Sequence, residues 1–410
     1  MTRVGQRAAR ALDRFNTATI TVLAIFSALV VGAILIVVTN DQTLSAWGHL
    51  FSRPGSAFSS SWDIVEGAYS ALFTGALGSP GAYAHAFATG NSQAFVTAFN
   101  PLSETLVSAT PLILAGLAVA LAFKAGMFNI GAQGQIIGGA IAAAWVGFSL
   151  RGLPIEIHLP LAVIAGFVGG AVVGLVPGIL KARTGAHEVI VTIMLNYVVL
   201  DLLLWLLSTS VFMEPGQSNA IGRNPAPSAN LPHLAGNSLR LNAGILVAIG
   251  AAFGVAWLLK RTTLGFRFRM VGANATAARA AGVSIPRVVT TAFLLAGGLA
   301  GLAGAVQVLG VVPQLAPGYS ENLGFTAIVV AILGRANPGG VVLAALLYGA
   351  LEAGGLKMQA VTSVPLDLVE VIQAVVVFFI AAPQLIRDIY RIRSTGKGFQ
   401  LSSEGWSGTV

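Results

Sequence analysis

The segment Lys124-Ala-Gly-Met-Phe-Asn-Ile-Gly-Ala-Gln-Gly-Gln135 lies between two long apolar stretches, where a membrane-spanning chain is normally most hydrophobic. It contains one Asn and two Gln side chains among three glycines. Hydrocarbon offers such amides no hydrogen-bond partner, so the segment is expected to face protein or an aqueous pathway. This polar interruption indicates a chain that moves a solute across a membrane.

The composition limits the class of protein. Hydrophobic residues make up 55% of the chain and charged residues only 9%, whereas soluble domains have about 25% charged residues. We therefore predict an all-α polytopic membrane protein. The net charge of +8 comes from short basic runs between apolar spans, which is typical of topology signals, and no nucleic-acid partner is expected. The chain has no cysteine, which excludes disulfides and cysteine nucleophiles.

Apolar segments of the length needed to cross a bilayer, about 20 residues, predict about ten transmembrane helices. They are 18–39, 103–122, 127–150, 159–180, 188–211, 243–259, 288–312, 320–335, 339–356 and 366–385. The segment 320–335 is the shortest. Residues 64–78 are apolar but brief and contain Glu66, so they are predicted to lie at the outer surface or to form an interfacial helix.

The distribution of basic residues predicts the topology. With both termini in the cytoplasm, eighteen of the 23 Lys and Arg residues fall inside and five outside, as the positive-inside rule requires. Counting 64–78 as a span would invert the later loops and place most of the positive charge outside. The predicted organisation is a basic cytoplasmic N-terminus (1–17), a transmembrane domain (18–385) with long outer loops (40–102 and 212–242) and one long inner loop (260–287), and a basic cytoplasmic tail (386–410).

Glycines in the fourth and seventh spans predict close helix packing. A stripe of small residues lets another helix approach closely. The fourth span has glycine at every fourth position, namely Gly166, Gly170, Gly174 and Gly178, and the seventh span has Gly297, Gly301 and Gly304.

Polar side chains inside spans are the candidates for a solute pathway. In a helical third span, Asn129 and Gln133 would share one face, with Gln135 roughly a third of a turn away. These amides could line a path for a neutral solute, or could tie neighbouring helices together at about 0.6–2 kcal/mol each. A carboxyl group at the depth of Asp201 costs about 2.5–3.5 kcal/mol and is expected to meet water or a partner. The further candidates are Asn196 in the fifth span and Glu370 and Gln373 in the tenth.

The inner loop contains a predicted short helix. Ala275–Ala281 are strong helix formers, Asn274 is suited to cap the start, and Gly282 is placed to end the helix. Such a projection could act as a lever for another protein or could be an ordinary surface helix. The sequence has neither a P-loop nor an evident pairing of a nucleophile with a base, so the chain is not predicted to be an enzyme.

Three motifs resemble the permease subunits of ABC importers, in the branched-chain amino acid and simple-sugar superfamily, and most closely the nucleoside branch linked to basic membrane proteins. They are Phe128-Asn-Ile-Gly-Ala-Gln-Gly-Gln135, Glu188-Val-Ile-Val-Thr-Ile-Met-Leu-Asn-Tyr197, and Gly272-Ala-Asn274 followed by Ala277-Ala278 and Ala281-Gly282. The resemblance covers roughly residues 100–385. The family pattern usually has Glu where Gln133 stands.

The resemblance implies a permease of the bacterial inner membrane that imports a neutral polar solute, expected to be a nucleoside, with a simple sugar as the alternative. It implies an ABC ATPase that holds ATP and Mg²⁺, a second and shorter permease chain, and an extracytoplasmic solute-binding lipoprotein. No cofactor is expected in this chain. The implied ATPase-coupling residues are Gly272, Asn274, Ala277, Ala278, Arg279, Ala281, Gly282 and Pro286. An ion-coupled secondary transporter is the alternative, with Asp201 as its main coupling carboxyl group.

Overall fold

The computed structural model describes residues 3–391 except 218, 237, 321 and 363, without the side chains of 3–18, 21, 366, 381 and 383. The predicted tail lies outside the described residues from position 392 onward. The described chain is all-α, as predicted, with two isolated β-bridges and no strand. The helices are α1 (Arg3–Thr39), α2 (Asp41–Gly48), α3 (Pro54–Leu77), α4 (Pro80–Thr89), α5 (Ser92–Lys124), α6 (Ala132–Ser149), α7 (Ile155–Thr184), α8 (Glu188–Leu207), α9 (Gly244–Arg261), α10 (Thr263–Ala273), α11 (Ala275–Ala280), α12 (Ile285–Gly310), α13 (Leu323–Leu333), α14 (Pro338–Thr362), α15 (Leu366–Ala381) and α16 (Pro383–Ile389).

The helices divide into two compact units. Among the described residues, the terminal unit contains the chain up to Leu102 and the chain from Ala350 to Arg391, and the central unit contains Ser103–Gly349. Helices α5 and α14 each contribute residues to both units. The motifs at 128–135, 188–197 and 272–282 all belong to the central unit.

Seven helices of the described chain are long and apolar enough to cross a membrane. They lie at seven of the ten predicted spans, in α1, α5, α7, α8, α9, α12 and α14. The other three spans correspond to shorter or more polar helices. Helix α6 has glutamines at its second and fourth positions, α13 has 11 residues, and α15 has 16. The polytopic class is confirmed, while the count of ten and the orientation of the termini stay predictions.

In the terminal unit, the segment 64–78 forms the second half of α3. Its alanines and Leu72 are buried. The Tyr69 hydroxyl donates to the Leu29 carbonyl of α1, and a Cβ added at Gly354 of α14 would lie 2.2 Å from the Leu72 carbonyl oxygen. This half of α3 is therefore packed between two other helices of the unit instead of standing apart from them.

The predicted glycine stripe of α7 packs against α12, where the two backbones nearly touch. A Cβ added at Gly170 would lie 2.3 Å from the Gly297 carbonyl oxygen, and one added at Gly297 would lie 2.4 Å from the Gly170 carbonyl oxygen. At Gly174 the added atom would lie 2.4 Å from the Phe293 carbonyl oxygen. The close approach predicted from the spacing is confirmed, because no side chain larger than hydrogen fits between these backbones.

Candidate functional site

The polar interruption is a break between two helices and not part of a continuous span. Helix α5 ends at Lys124, and Gly126 adopts the left-handed conformation with φ of +76°. The Met127 amide donates to the Ala122 carbonyl at 3.0 Å, and the Gly126 amide donates to the Phe123 carbonyl at 3.0 Å. This is the hydrogen-bond pattern of a Schellman motif, which ends a helix at glycine. Helix α6 begins only at Ala132.

The prediction that Asn129 and Gln133 share a helical face is therefore wrong, because Asn129 precedes the helix. Instead, Asn129 and Gln135 exchange two hydrogen bonds. The Asn129 Nδ2 donates to Gln135 Oε1 at 2.8 Å, and Gln135 Nε2 donates to Asn129 Oδ1 at 3.1 Å. Both residues are fully buried. Their amides satisfy each other inside the protein, as buried polar groups require, and hold the turn between 129 and 135 closed.

Asn196 of α8 ties the same break to a neighbouring helix. Its Oδ1 accepts a hydrogen bond from the Gly134 amide at 2.8 Å, and its Nδ2 donates to the Ile130 carbonyl at 3.0 Å. The first turn of a helix leaves its amides without intrahelical acceptors. Asn196 supplies one of these acceptors, so the first turn of α6 is capped by a side chain of α8.

Gln133 connects the break to a second interrupted region, between α12 and α13. Its Nε2 donates to the Ser320 carbonyl at 2.7 Å and lies 3.1 Å from the Ser320 hydroxyl, while its Oε1 accepts from the Gly324 amide at 2.7 Å. Ser320 and Asn322 have positive φ angles of 61° and 60°. This loop thus adopts backbone conformations that are unfavourable for residues with a side chain, and Gln133 holds it beside the start of α6.

Four of the predicted pathway residues are thus brought together, and three are not. All four hold the break by hydrogen bonds. Asn129 and Gln135 bond to each other, Asn196 bonds to the backbone of the break, and Gln133 bonds to the loop before α13. Asp201 lies on the exposed face of α8, and Glu370 and Gln373 lie on α15 in the terminal unit. The structure assigns packing partners to the four amides, while a role of any of the seven in contacting solute stays a prediction.

Asp201 lies well inside the membrane-capable part of α8. At 1.5 Å per residue, it is roughly 7 Å beyond Asn196 and roughly 9 Å before the last helical residue, Leu207. A carboxyl group at the centre of a span costs about 2.5–3.5 kcal/mol on insertion scales when it faces lipid. An exposed carboxyl group on this helix is therefore the strongest sign in the central unit of a surface that does not face hydrocarbon.

The short helix predicted within the loop 260–287 is confirmed as α11, with the predicted caps, while its cytoplasmic position stays a prediction. The Asn274 Oδ1 accepts from the Ala277 amide at 2.9 Å, and Gly282 has φ of +79°. The Val283 amide donates to the Ala278 carbonyl at 3.0 Å, which completes a second Schellman motif. Ala278 is buried, whereas the other predicted coupling residues are exposed: Gly272, Asn274, Ala277, Arg279, Ala281, Gly282 and Pro286.

The sequence analysis missed α10, which precedes α11 and reaches the break. Thr262 caps its start by accepting from the Gly265 amide at 3.0 Å. Near its end, a Cβ added at Gly272 would lie 2.4 Å from the Lys124 carbonyl oxygen and 2.9 Å from the Gly126 amide nitrogen. The inner loop is therefore in direct backbone contact with the end of α5, at the residue where the polar break begins.

The outer loop 212–242 is fixed to the central unit by side chains that the sequence analysis did not single out. His158 is buried, with Nε2 donating to the Val146 carbonyl at 3.1 Å and Nδ1 2.7 Å from the Ser228 hydroxyl. On the same side of the chain, Arg240 forms an ion pair with Glu104 at 3.0 Å. The described part of the loop is thus tied to α5, α6 and α7. The sequence signal that could have indicated this contact is a single histidine near the start of a largely apolar helix.

Comparisons with known proteins agree with this architecture. A family profile described as "Branched-chain amino acid transport system / permease component" matches residues 102–381. The guanosine ABC transporter permease protein NupP of Bacillus subtilis is 40% identical over 289 residues, which are 70% of this chain and 83% of NupP. The glucose ABC transporter permease protein TsgB13 of Haloferax volcanii is 38% identical over 71% of this chain and 78% of its own. No solved structure matches the chain.

Two relatives come from one strain of Lactococcus lactis. The nucleoside ABC transporter permease protein NupB is 37% identical over 292 residues, covering 70% of this chain and 80% of NupB. The nucleoside ABC transporter permease protein NupC is 26% identical over 64% of this chain and 85% of NupC. The chain is thus similar to two different permeases of one organism, and more similar to NupB.

Proposed function

The chain belongs to the family of permease components of branched-chain amino acid transport systems, and on that premise we propose that it forms the translocation pathway of an ATP-driven nucleoside importer. As a family member with seven membrane-capable helices among its described residues, it is a multi-pass protein of the cytoplasmic membrane. The observation that carries the nucleoside proposal is the similarity to NupP and NupB, whose names specify guanosine and nucleosides.

The similarity to TsgB13, which is named for glucose, provides a second candidate solute. Nucleosides and simple sugars are both neutral and both carry hydroxyl groups, so one kind of pathway could serve either. Sugar import is therefore the second candidate.

The proposal includes three partners. An ABC ATPase that binds ATP and Mg²⁺ would engage the exposed helix α11, since this chain has no P-loop of its own. A second, different permease would stand beside this chain, as NupC and NupB occur in one organism. An extracytoplasmic solute-binding lipoprotein would deliver solute to the outer side, where the contacts of Ser228 and Arg240 hold part of the loop 212–242 against the helices.

The coupling step would use the contact between α10 and the end of α5. A movement of α11 by the ATPase would shift α10, and Gly272 touches the backbone of 124–126 with no side chain between them. The break follows directly and is tied through Gln133 to the loop before α13. Motion at the cytoplasmic surface would thereby reach the break through a backbone contact and the loop before α13 through the Gln133 side chain.

The test is uptake of labelled purine and pyrimidine nucleosides, ribose, glucose and leucine by cells with and without this chain. Each uptake is measured after ATP depletion and, separately, with a protonophore while ATP is held constant. We expect nucleoside uptake that requires the chain and follows ATP. Sugar uptake that follows ATP would replace the nucleoside by the second candidate, and uptake that follows the proton gradient would overturn the ATP-driven mechanism.

A further inference from the structure

Helix α8 has one packed face and one exposed face, and the exposed face carries a carboxyl group. The packed face consists of Thr192, Asn196, Val199, Leu203 and Leu207, spaced three or four residues apart and buried. The opposite face consists of Met194, Tyr197, Asp201 and Trp205, at the same spacing and exposed. These four residues are called the outward stripe below. Asp201 lies in its middle, with apolar or aromatic residues on both sides.

The depth of Asp201 follows from the contacts between α6 and α8. A Cβ added at Gly131 would lie 3.0 Å from the Thr192 side chain, and Gly134 donates to Asn196. Toward the outer end, the rings of Phe148 and Phe212 meet at 5.2 Å. The two helices therefore run side by side in the same direction, and Asp201 lies between these two levels. It does not lie at a solvated helix end.

Two other membrane-capable helices of the central unit, α7 and α9, present the uniformly apolar exposed face that contact with lipid requires. The exposed face of α7 between Leu161 and Leu180 consists of aliphatic residues, and that of α9 between Leu246 and Trp257 consists of aliphatic and aromatic residues with two glycines. Neither of these faces carries a charged residue within those limits. Ionisable residues in spans almost always face a bundle interior or a water-filled cavity, so the outward stripe of α8 differs in kind from these two faces.

We propose that the outward stripe of α8 is the surface that contacts the second permease chain, with Asp201 satisfied by hydrogen-bond donors of that chain or by water held between the two. This rests on the proposed function, which supplies the partner. Lipid is excluded as the occupant because acyl chains offer Asp201 no donor. A second permease suits the site because its spans lie at the same depth, and NupB and NupC provide an example of two such chains in one organism.

Because the chain has no cysteine, a single introduced cysteine can be spin-labelled specifically. Single-cysteine variants Tyr197→Cys on the outward stripe and Val168→Cys on the lipid-like face of α7 are spin-labelled in the transporter purified with its partner subunits in bilayers. Collision rates with dissolved oxygen are measured by electron paramagnetic resonance. We expect the label at 197 to collide with oxygen several-fold less often than the label at 168. Equal oxygen accessibility at both positions would overturn the proposal.

A second measurement identifies the occupant. A photoreactive benzophenone amino acid at position 197 is expected to crosslink to a permease chain, identified by mass spectrometry, whereas the same amino acid at 168 is not. Crosslinking at 197 to lipid alone would overturn the proposal. The variant Asp201→Leu is expected to reduce uptake at least tenfold, and unimpaired uptake would count against it. Wild-type ATP-dependent uptake is measured in parallel, so that failure of the importer function is distinguished from failure of the interface.

Discussion

Substitution of Gly272 by alanine is expected to weaken the link between ATP hydrolysis and transport. The added Cβ would lie 2.4 Å from the Lys124 carbonyl oxygen and 2.9 Å from the Gly126 amide nitrogen, whereas ordinary contacts begin at 3.4 Å. Either α10 or the end of α5 must therefore move by about 1 Å. Overpacking of this kind costs about 1–3 kcal/mol. Backbone atoms on both sides leave no flexible side chain that could move aside.

The effect on function depends on where this strain falls. If α10 and the end of α5 move relative to each other during the transport cycle, 1–3 kcal/mol changes the balance of the two states by about 5- to 150-fold. The ATPase is expected to bind as before, because α11 and its caps are unchanged. We therefore expect fewer solute molecules transported per ATP hydrolysed, with normal association of the ATPase.

The assay is solute uptake and phosphate release measured together in proteoliposomes, with the melting temperature of each variant. Gly126→Ala tests the same contact from the other side, since its Cβ would lie 2.9 Å from the Gly272 Cα. Its φ of +76° adds backbone strain, for which Gly90→Ala is the control, because Gly90 has φ of +62° and nothing within 4 Å of its added Cβ. Gly250→Ala on α9 is the matched control, because nothing lies within 4 Å of its added Cβ. A wild-type ratio of uptake to hydrolysis in both contact variants would refute the coupling role of this contact.

Three further predictions concern stability and are checked by thermal unfolding in detergent, with the wild-type protein as the reference. Gly170→Leu places its Cβ 2.3 Å from the Gly297 carbonyl oxygen and is expected to prevent α7 from packing on α12, with little folded protein recovered. Asn196→Leu leaves the Gly134 amide and the Ile130 carbonyl without their partner. It is expected to destabilise the protein by about 1–3 kcal/mol for each group that stays unsatisfied. Tyr197→Phe on the exposed face of the same helix is expected to have little effect. His158→Ala removes the contacts to Ser228 and Val146 and is expected to lower the melting temperature; an unchanged value would show that the loop 212–242 is held without it.

Features that depend on local hydrogen bonds could be predicted from the sequence. The caps of α11 involve Asn274 and residues three to eight positions away, so propensity and spacing were sufficient. The glycine stripe of α7 was predicted for a similar reason, because a four-residue spacing fixes one face of a helix. In both cases the decisive information lies within one or two helical turns.

The extent of the break between α5 and α6 was underestimated, because the third span was predicted to begin at 127 whereas α6 begins at Ala132. The residues that hold the break open are distant in sequence. Asn129 and Gln133 have a spacing that also fits a helix, and the groups that hold the break are Ser320, 187 residues from Gln133, and Asn196, 62 residues from Gly134. One local signal was available. Lys124 followed by Gly126 at the end of an apolar run is the usual pattern of a helix C-terminus.

The orientation of α8 could not be predicted from the sequence, and it determines which of its polar residues a solute can reach. Asn196 and Asp201 are five residues apart, so on a helix they point about 140° away from each other. The sequence analysis proposed both as pathway residues, but the structure buries Asn196 in the break and exposes Asp201.

Because the amides of Asn129, Gln135 and Asn196 are hydrogen-bonded to one another or to the backbone, binding a solute through them would require breaking the contacts that hold α6 in place. A solute site that leaves the fold intact is expected to use exposed groups such as Asp201 together with groups from the second permease, so that the site is completed only when the two chains are assembled.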